Sequence, residues 1–255
     1  MLGLGNGLEY QNSNFFSKYW DPTFISPGAG ELSIWLKFDT GHTSSLGAVS
    51  AWKDASGNSN HATQAAAGDQ ATQKEVGSTG KYGLDFEAGE GDHYDFASAV
   101  EIAEEEGFII FLVCEVESVS ANMTILGLNA VTHFLEFKAG GDNIRIRLGS
   151  TTTDIAPDDT NQFHSAAGKF LVTIIREKGD PGNLVLYRDG NVLAQSSQAT
   201  NSGDGEFATL GVRNADRFFD GVVYEFLMYE NIRDWNDIEI ANMHSYLMQI
   251  HDIAH

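Results

Sequence analysis

From Glu31 onward, apolar residues return at every second position in one short segment after another, with turn-forming residues between the segments. In the first, Leu32, Ile34, Leu36 and Phe38 alternate with Ser33, Trp35 and Lys37. Successive side chains of an extended chain point to opposite faces, so this reads as a half-buried strand. Ile144, Ile146 and Leu148 alternate with Arg145 and Arg147 in the same way. The run 108–116 is almost continuously apolar, as expected of a central strand covered on both faces. Further strands are expected over 50–53, 81–86 with a continuation at 94–96, 124–128, 134–138, 170–176, 184–188, 191–194, 208–212 and 222–229. Residues 55–80 are small and polar and show no strand pattern. Gly140-Gly141-Asp142 reads as a tight hairpin connection, and Asp189-Gly190 supplies the positive φ of a type I′ turn. About a dozen short strands with turns at roughly 8–12-residue spacing give an all-β jelly-roll sandwich of two antiparallel sheets.

One segment departs from period two. Ile240, Met243, His244, Leu247 and Ile250 fall at helical spacing. Asp234 is placed to cap a helix starting at Trp235, and Asp237 and Glu239 in its first turn suit the positive end of the helix dipole. The result is a C-terminal amphipathic helix that packs on the sheets. His244 on that face is read as a satisfied histidine rather than a metal ligand.

Residues 1–30 follow neither period. Leu2, Leu4 and Leu8 are spaced by glycine and asparagine, and Phe15, Phe16, Tyr19 and Trp20 cluster before Pro22 and Pro27. Such a segment rarely folds alone, and exposed aromatics need covering. It reads as an extended arm before a domain spanning 31–255, one that packs on its own domain or docks on another chain.

The formal charge is −21, from 36 acidic against 15 basic residues, which argues against nucleic acid as a main partner. The single cysteine, Cys114, lies in an apolar run and reads as a buried structural thiol. No secretory n-region and h-region open the chain, and no apolar run approaches the roughly 20 residues of a membrane span. Synthesis in the cytoplasm without export by a signal is therefore expected. Phosphate-loop and zinc spacings are absent.

The best metal candidate is the loop 52–64. Asp54, Ser56, Asn58 and Asn60 alternate as oxygen donors, and Asp54, Asn58 and Asn60 are the candidate calcium ligands. The sixth and twelfth positions of a calcium-binding helix–loop–helix are wrong, occupied by Ser59 and Ala65. The competing reading makes Asp54 and Asn58 turn formers and gives His61 a backbone partner. Trp35, Trp52 and Trp235 are the aromatics that a glycan site would draw on, and each also suits a core position.

Four pieces in order resemble the laminin-G-like branch of the concanavalin A-like lectin and glucanase fold. They are Trp52–Ala62, similar to the family's W-x-D-x-S-G-N loop; Gly83–Phe86 with Asp92–Phe96; Leu184–Leu193, similar to its LYVNG hairpin; and Phe219–Tyr229 leading to the helix with Ser245-Tyr246-Leu247. Glycanases on that fold carry Glu-x-Asp-x-x-Glu on one strand face. Glu90-Gly91-Asp92-His93-Tyr94-Asp95 departs from it at the last carboxylate and at Gly91, so the resemblance implies no enzyme here. The start Met1–Asn6 is similar to virion structural proteins of tailed phages, notably those of marine cyanobacteria. Together these resemblances imply a non-enzymatic virion structural or accessory protein of a capsid, neck or tail. It would be located in the virion, be homo-oligomeric and be held to other virion proteins by its arm. The alternative they imply is a carbohydrate-binding module or adhesin for a cell-surface glycan, with or without calcium. No other cofactor and no membrane partner is expected.

Overall fold

The computed structural model describes residues 22–24, 31–37, 40–45, 47–75, 82–103, 106–128, 130–141, 143–157, 162–163, 168–179, 182–197, 204–232 and 237–254. Most of the arm, Phe38, and the expected cap Asp234 with Trp235 lie outside them. The described residues form seventeen strands and one α-helix: β1 (Glu31–Leu36), β2 (His42–Ser45), β3 (Ala48–Trp52), β4 (Ala62–Thr63), β5 (Thr72–Glu75), β6 (Tyr82–Phe86), β7 (Tyr94–Ile102), β8 (Gly107–Val116), β9 (Met123–Leu128), β10 (Ala130–Phe137), β11 (Ile144–Leu148), β12 (Thr151–Ile155), β13 (Phe170–Arg176), β14 (Asn183–Arg188), β15 (Asn191–Ser197), β16 (Gly205–Leu210), β17 (Gly221–Ile232) and α1 (Asp237–Ile250).

All strands belong to one continuous ladder, and every pairing between them is antiparallel. One run reads β2-β3-β5-β6-β17-β8-β13-β14-β15, with β1 sharing an edge of β17 with β6. A second reads β4-β7-β16-β9-β10-β11-β12, and β3–β4 joins the two.

The alternation along β8 explains the layering. Phe108, Ile110, Leu112 and Cys114 face a core shared with Leu126, Leu135 and Ile146 of the second run. Ile109, Phe111 and Val113 face the other way, into a cluster with Ile240, Met243 and Leu247 of α1. The helix therefore seals the outer face of the first run. This also corrects the expectation for β1. Trp35, placed on the solvent face by alternation, is only 3% exposed, because that face lies under α1.

Four strands went unread in the sequence: β2, β4, β5 and β12. β4 has two residues, and β5 is exposed or half-buried throughout, so neither carries a hydrophobic period. The turn after β14 has φ of 48° at Asp189 and 79° at Gly190, in the positive region that the sequence called for. Cys114 is fully buried, and burial pushes its thiol well above its ordinary pKa, consistent with an inert core position. His244 is buried with Nε2 3.0 Å from Thr173 Oγ1, and burial lowers its pKa to about 4.

Candidate functional site

Asp54 begins a turn whose backbone it ties together. Its Oδ1 accepts from the amides of Trp35 (2.9 Å) and Ser56 (2.8 Å), and its Oδ2 accepts from Ser56 Oγ (2.7 Å) and the Asn60 amide (3.0 Å). His61 Nδ1 accepts from the Asp54 amide at 3.1 Å. Asn58 Nδ2 donates to the carbonyl of Leu32 at 2.6 Å, and Asn60 Oδ1 accepts from the Ser98 amide at 2.8 Å. The three expected calcium ligands are thus brought together, but each is engaged by the chain itself. Asp54 covers the free edge of β1, and Asn58 and Asn60 fasten the loop to β1 and β7. A bare strand edge needs such covering.

The fastened loop forms one wall of a cleft of about 790 Å³ between the edges of the two runs. β1 and β17 contribute Glu31, Ser33, Glu230 and Asn231; β7 and β16 contribute Ser98, Glu101 and Glu206; Asp204 and His133 complete the lining. Glu31 lies directly across the ladder from Glu230, and Glu101 directly across from Glu206. Like charges at facing positions destabilise a sheet. Burial first, then the charges of Glu31 and Glu101, push the Glu230 carboxyl above its ordinary pKa, opposed by a hydrogen bond from Ser33. Asn231 has φ of 52° at the register shift near the end of β17. The lining offers carboxylates and amides for hydroxyl groups and, among the described residues, contains no lysine or arginine.

The Glu90–Asp95 segment is a turn and a strand start, not a catalytic face. Glu90 is exposed, whereas Asp92 is 1% exposed and its Oδ2 accepts from the Glu87 amide at 2.8 Å. Burial raises the Asp92 pKa to about 6, and Tyr94 Oη donates to the Val49 carbonyl at 2.8 Å. Of the tryptophans, Trp35 and Trp52 are core residues, Trp52 donating to the Lys37 carbonyl at 3.0 Å. No cleft residue except Asn58 and Asn60 was singled out in the sequence. The others lie on five strands and the segment before β16, distant from one another in the chain, so only the pairing brings them together.

No protein-family model matches the chain, and no curated protein does. Solved structures do. The chain is similar to the receptor-binding domain of botulinum neurotoxin type G, with 15% identity over 85% of this chain and 51% of that one, at a TM-score of 0.54. It is similar to the binding domain of paraclostridial mosquitocidal protein 1, with 16% identity, 84% and 52% coverage and a TM-score of 0.56. A third is domain 4 of AbnA, a GH43 extracellular arabinanase from Geobacillus stearothermophilus in complex with arabinotriose, with 14% identity, 84% and 98% coverage and a TM-score of 0.53. The chain spans about half the length of the first two and nearly all of the third. At these identities the likeness is one of fold, a β-sandwich.

Proposed function

We propose that the protein is a non-enzymatic carbohydrate-binding domain, with a concanavalin A-like jelly-roll sandwich as its scaffold and the acidic cleft as its glycan site. The observation that carries this reading is the pairing of Glu31 with Glu230 and of Glu101 with Glu206 at a single opening. Two like-charged cross-strand pairs work against the sheet, and residues that cost stability without a packing reason concentrate at working sites. Carboxylates and amides around a concave surface are suited to sugar hydroxyls. The solved similar structures support the reading, since two are binding domains and the third is in complex with arabinotriose. The reading does not rely on calcium: Asp54 and Asn60 accept from backbone amides and Asn58 donates to a backbone carbonyl in the wall of the cleft. A glycan array probed with the full chain, in calcium and again in chelator, tests it. Recognition of neutral glycans that survives chelation is the expected result. Silence in both conditions refutes the reading.

A second reading keeps the domain as a virion component, homo-oligomeric and attached to other virion proteins through residues 1–30. What supports it is the resemblance of the first residues to phage proteins, together with one contact. Tyr229 Oη, buried on β17, donates to the Pro22 carbonyl at 3.0 Å, so the end of the arm is tied to the body. Deleting residues 1–21 is then expected to abolish incorporation into particles while leaving the domain folded. Normal incorporation of the truncated chain rejects it.

A further inference from the structure

The β14–β15 hairpin and α1 enclose a second hollow, of about 510 Å³, which shares no described lining residue with the acidic cleft. Ile240, His244 and Met248, four residues apart along α1, form its buried floor, and half-buried Tyr187 of β14 closes it from the sheet. Asn191, Val192, Asp237, Ala241 and Ser245 are exposed and form its mouth. The volume falls within the roughly 300–1,000 Å³ of small-molecule sites.

Register and turn geometry build the hollow. Tyr187 faces Thr173 across β13 and β14, and Thr173 Oγ1 lies 3.0 Å from His244 Nε2. The sheet thereby holds the imidazole with its centre 5.2 Å from that of the tyrosine ring. The other imidazole nitrogen, Nδ1, makes no hydrogen bond among the described residues, although His244 is only 4% exposed. Gly190 leaves that nitrogen uncovered. A Cβ at position 190 would sit 3.8 Å from Nδ1 and 3.4 Å from Met248 Sδ. The turn demands the positive φ of 79° held there, and the glycine that supplies it opens the way to Nδ1. A buried polar atom in that condition calls for a partner.

Burial keeps the ring neutral, so Nδ1 accepts from or donates to a hydroxyl according to the tautomer. The rest of the lining has little to spare for the many hydroxyls of a sugar. Ile240, Val192, Ala241 and Met248 are apolar. Ser245 Oγ donates to the Ala241 carbonyl at 2.8 Å, and Asn191 Nδ2 to the Asp189 carbonyl at 3.1 Å. Asp189 accepts from the Leu171 amide at 2.9 Å and from Arg188 Nε at 3.3 Å. Asp237 is the uncommitted carboxylate, without a hydrogen bond or ion pair among the described residues. Its charge reaches Tyr187, whose phenol is pushed above its ordinary pKa by burial first and then by Asp237 and Glu177. No lysine or arginine is among the described lining residues. A carboxylate, an aromatic ring and apolar walls are the surroundings that hold an alkylated ammonium group.

We infer that the hollow between α1 and the β14–β15 hairpin binds a hydroxyalkyl ammonium ion of the choline type. The ammonium lies against the Tyr187 ring on the side of Asp237, its alkyl groups meet Ile240, Val192 and Met248, and its hydroxyl bonds His244 Nδ1. The site requires nothing of the acidic cleft.

The test is a titration of the full ¹⁵N-labelled chain with choline, tetramethylammonium and glucose at matched ionic strength, followed by amide resonances. Choline is expected to shift residues 187–192 and 240–248 saturably, tetramethylammonium about tenfold more weakly for want of the hydroxyl, and glucose not at all. Tyr187→Leu weakens the choline response about tenfold. Asp237→Asn, at an exposed position, weakens it about threefold and serves if Tyr187→Leu does not fold. A choline response matched by tetramethylammonium or glucose, one centred on Glu31, Glu101, Glu206 and Glu230, one undiminished in Asp237→Asn, or none at all overturns the assignment. Neutral-glycan binding in the cleft is unmoved by these variants, so the two sites stand or fall separately.

Discussion

The molecule buries two carboxylates on opposite outer faces of its strand runs, and it treats them differently. Glu225 lies beneath α1. A register shift in β17 between Val223 and Glu225 turns Tyr224 and Glu225 both toward the helix side. Its Oε1 accepts from Trp35 Nε1 and its Oε2 is bonded to His251 Nε2, each at 2.7 Å. Glu136 is as fully buried but has one oxygen without a hydrogen bond and ion pairs no shorter than 3.5 Å. Burial pushes its pKa up, against the pull of Arg213, Arg217 and Arg145. One face is closed by a helix and satisfied. The other is covered by residues 213–217 and incompletely bonded.

The largest expected effect is on the closed face. Glu225→Ala removes the acceptor of Trp35 Nε1 and the carboxylate bonded to His251 under the helix and is expected to cost about 3–5 kcal/mol in urea unfolding. Glu136→Ala, removing a partner that is bonded on one oxygen only, is expected to cost about 1–2 kcal/mol. Equal losses would erase the distinction between the faces.

Next come two opposed pH dependences. His244, under the helix, has its pKa lowered from 6.5 to about 4. The folded state resists its protonation, so its contribution is present above pH 6.5 and is lost as pH falls toward 4. Asp92, next to Gly211 at the base of the loop that carries Arg213, has its pKa raised from 3.8 to about 6. The folded state prefers its protonated form, so that stability is present below pH 3.8 and is lost as pH rises through about 6. The shift corresponds to about 3 kcal/mol. Asp92→Asn is expected to flatten the fall in stability between pH 4 and 7, measured by denaturant titration at each pH. An unchanged slope removes Asp92 as its source.

Much of this architecture was legible in the residues. β8, β13 and β17 announced themselves because burial on both faces leaves a mostly apolar run. The Asp189-Gly190 turn was legible because its geometry demands those residue types. The loop 52–64 was legible as unusual but not in its purpose. Alternating oxygen donors suit a cation and suit backbone amides equally, and only the positions of Trp35, Leu32 and Ser98 decide between them. The cleft was not legible at all. Glu31 and Glu230 are paired across most of the chain, and nothing local to either residue signals the other. Arg145 and Arg147 read as the solvent side of a strand, which is correct. The part played by Arg213 depends on Gly127 letting a distant loop approach.

A smaller effect is expected from Ala215→Gly. Relieving one left-handed residue in the loop raises stability by about 1 kcal/mol in thermal or chemical unfolding. A loss instead would mean that the loop is not under backbone strain.

The most direct test of the cleft as the working site uses Glu101→Lys. This residue is exposed, and its lysine would face Glu206 across β7 and β16. Replacing repulsion with attraction is expected to raise stability by a few tenths of a kcal/mol, roughly 0.5. Isothermal titration with a neutral glycan that binds the wild-type chain should then show that binding is lost although the protein is at least as stable. Undiminished affinity in that variant would contradict the assignment of the cleft.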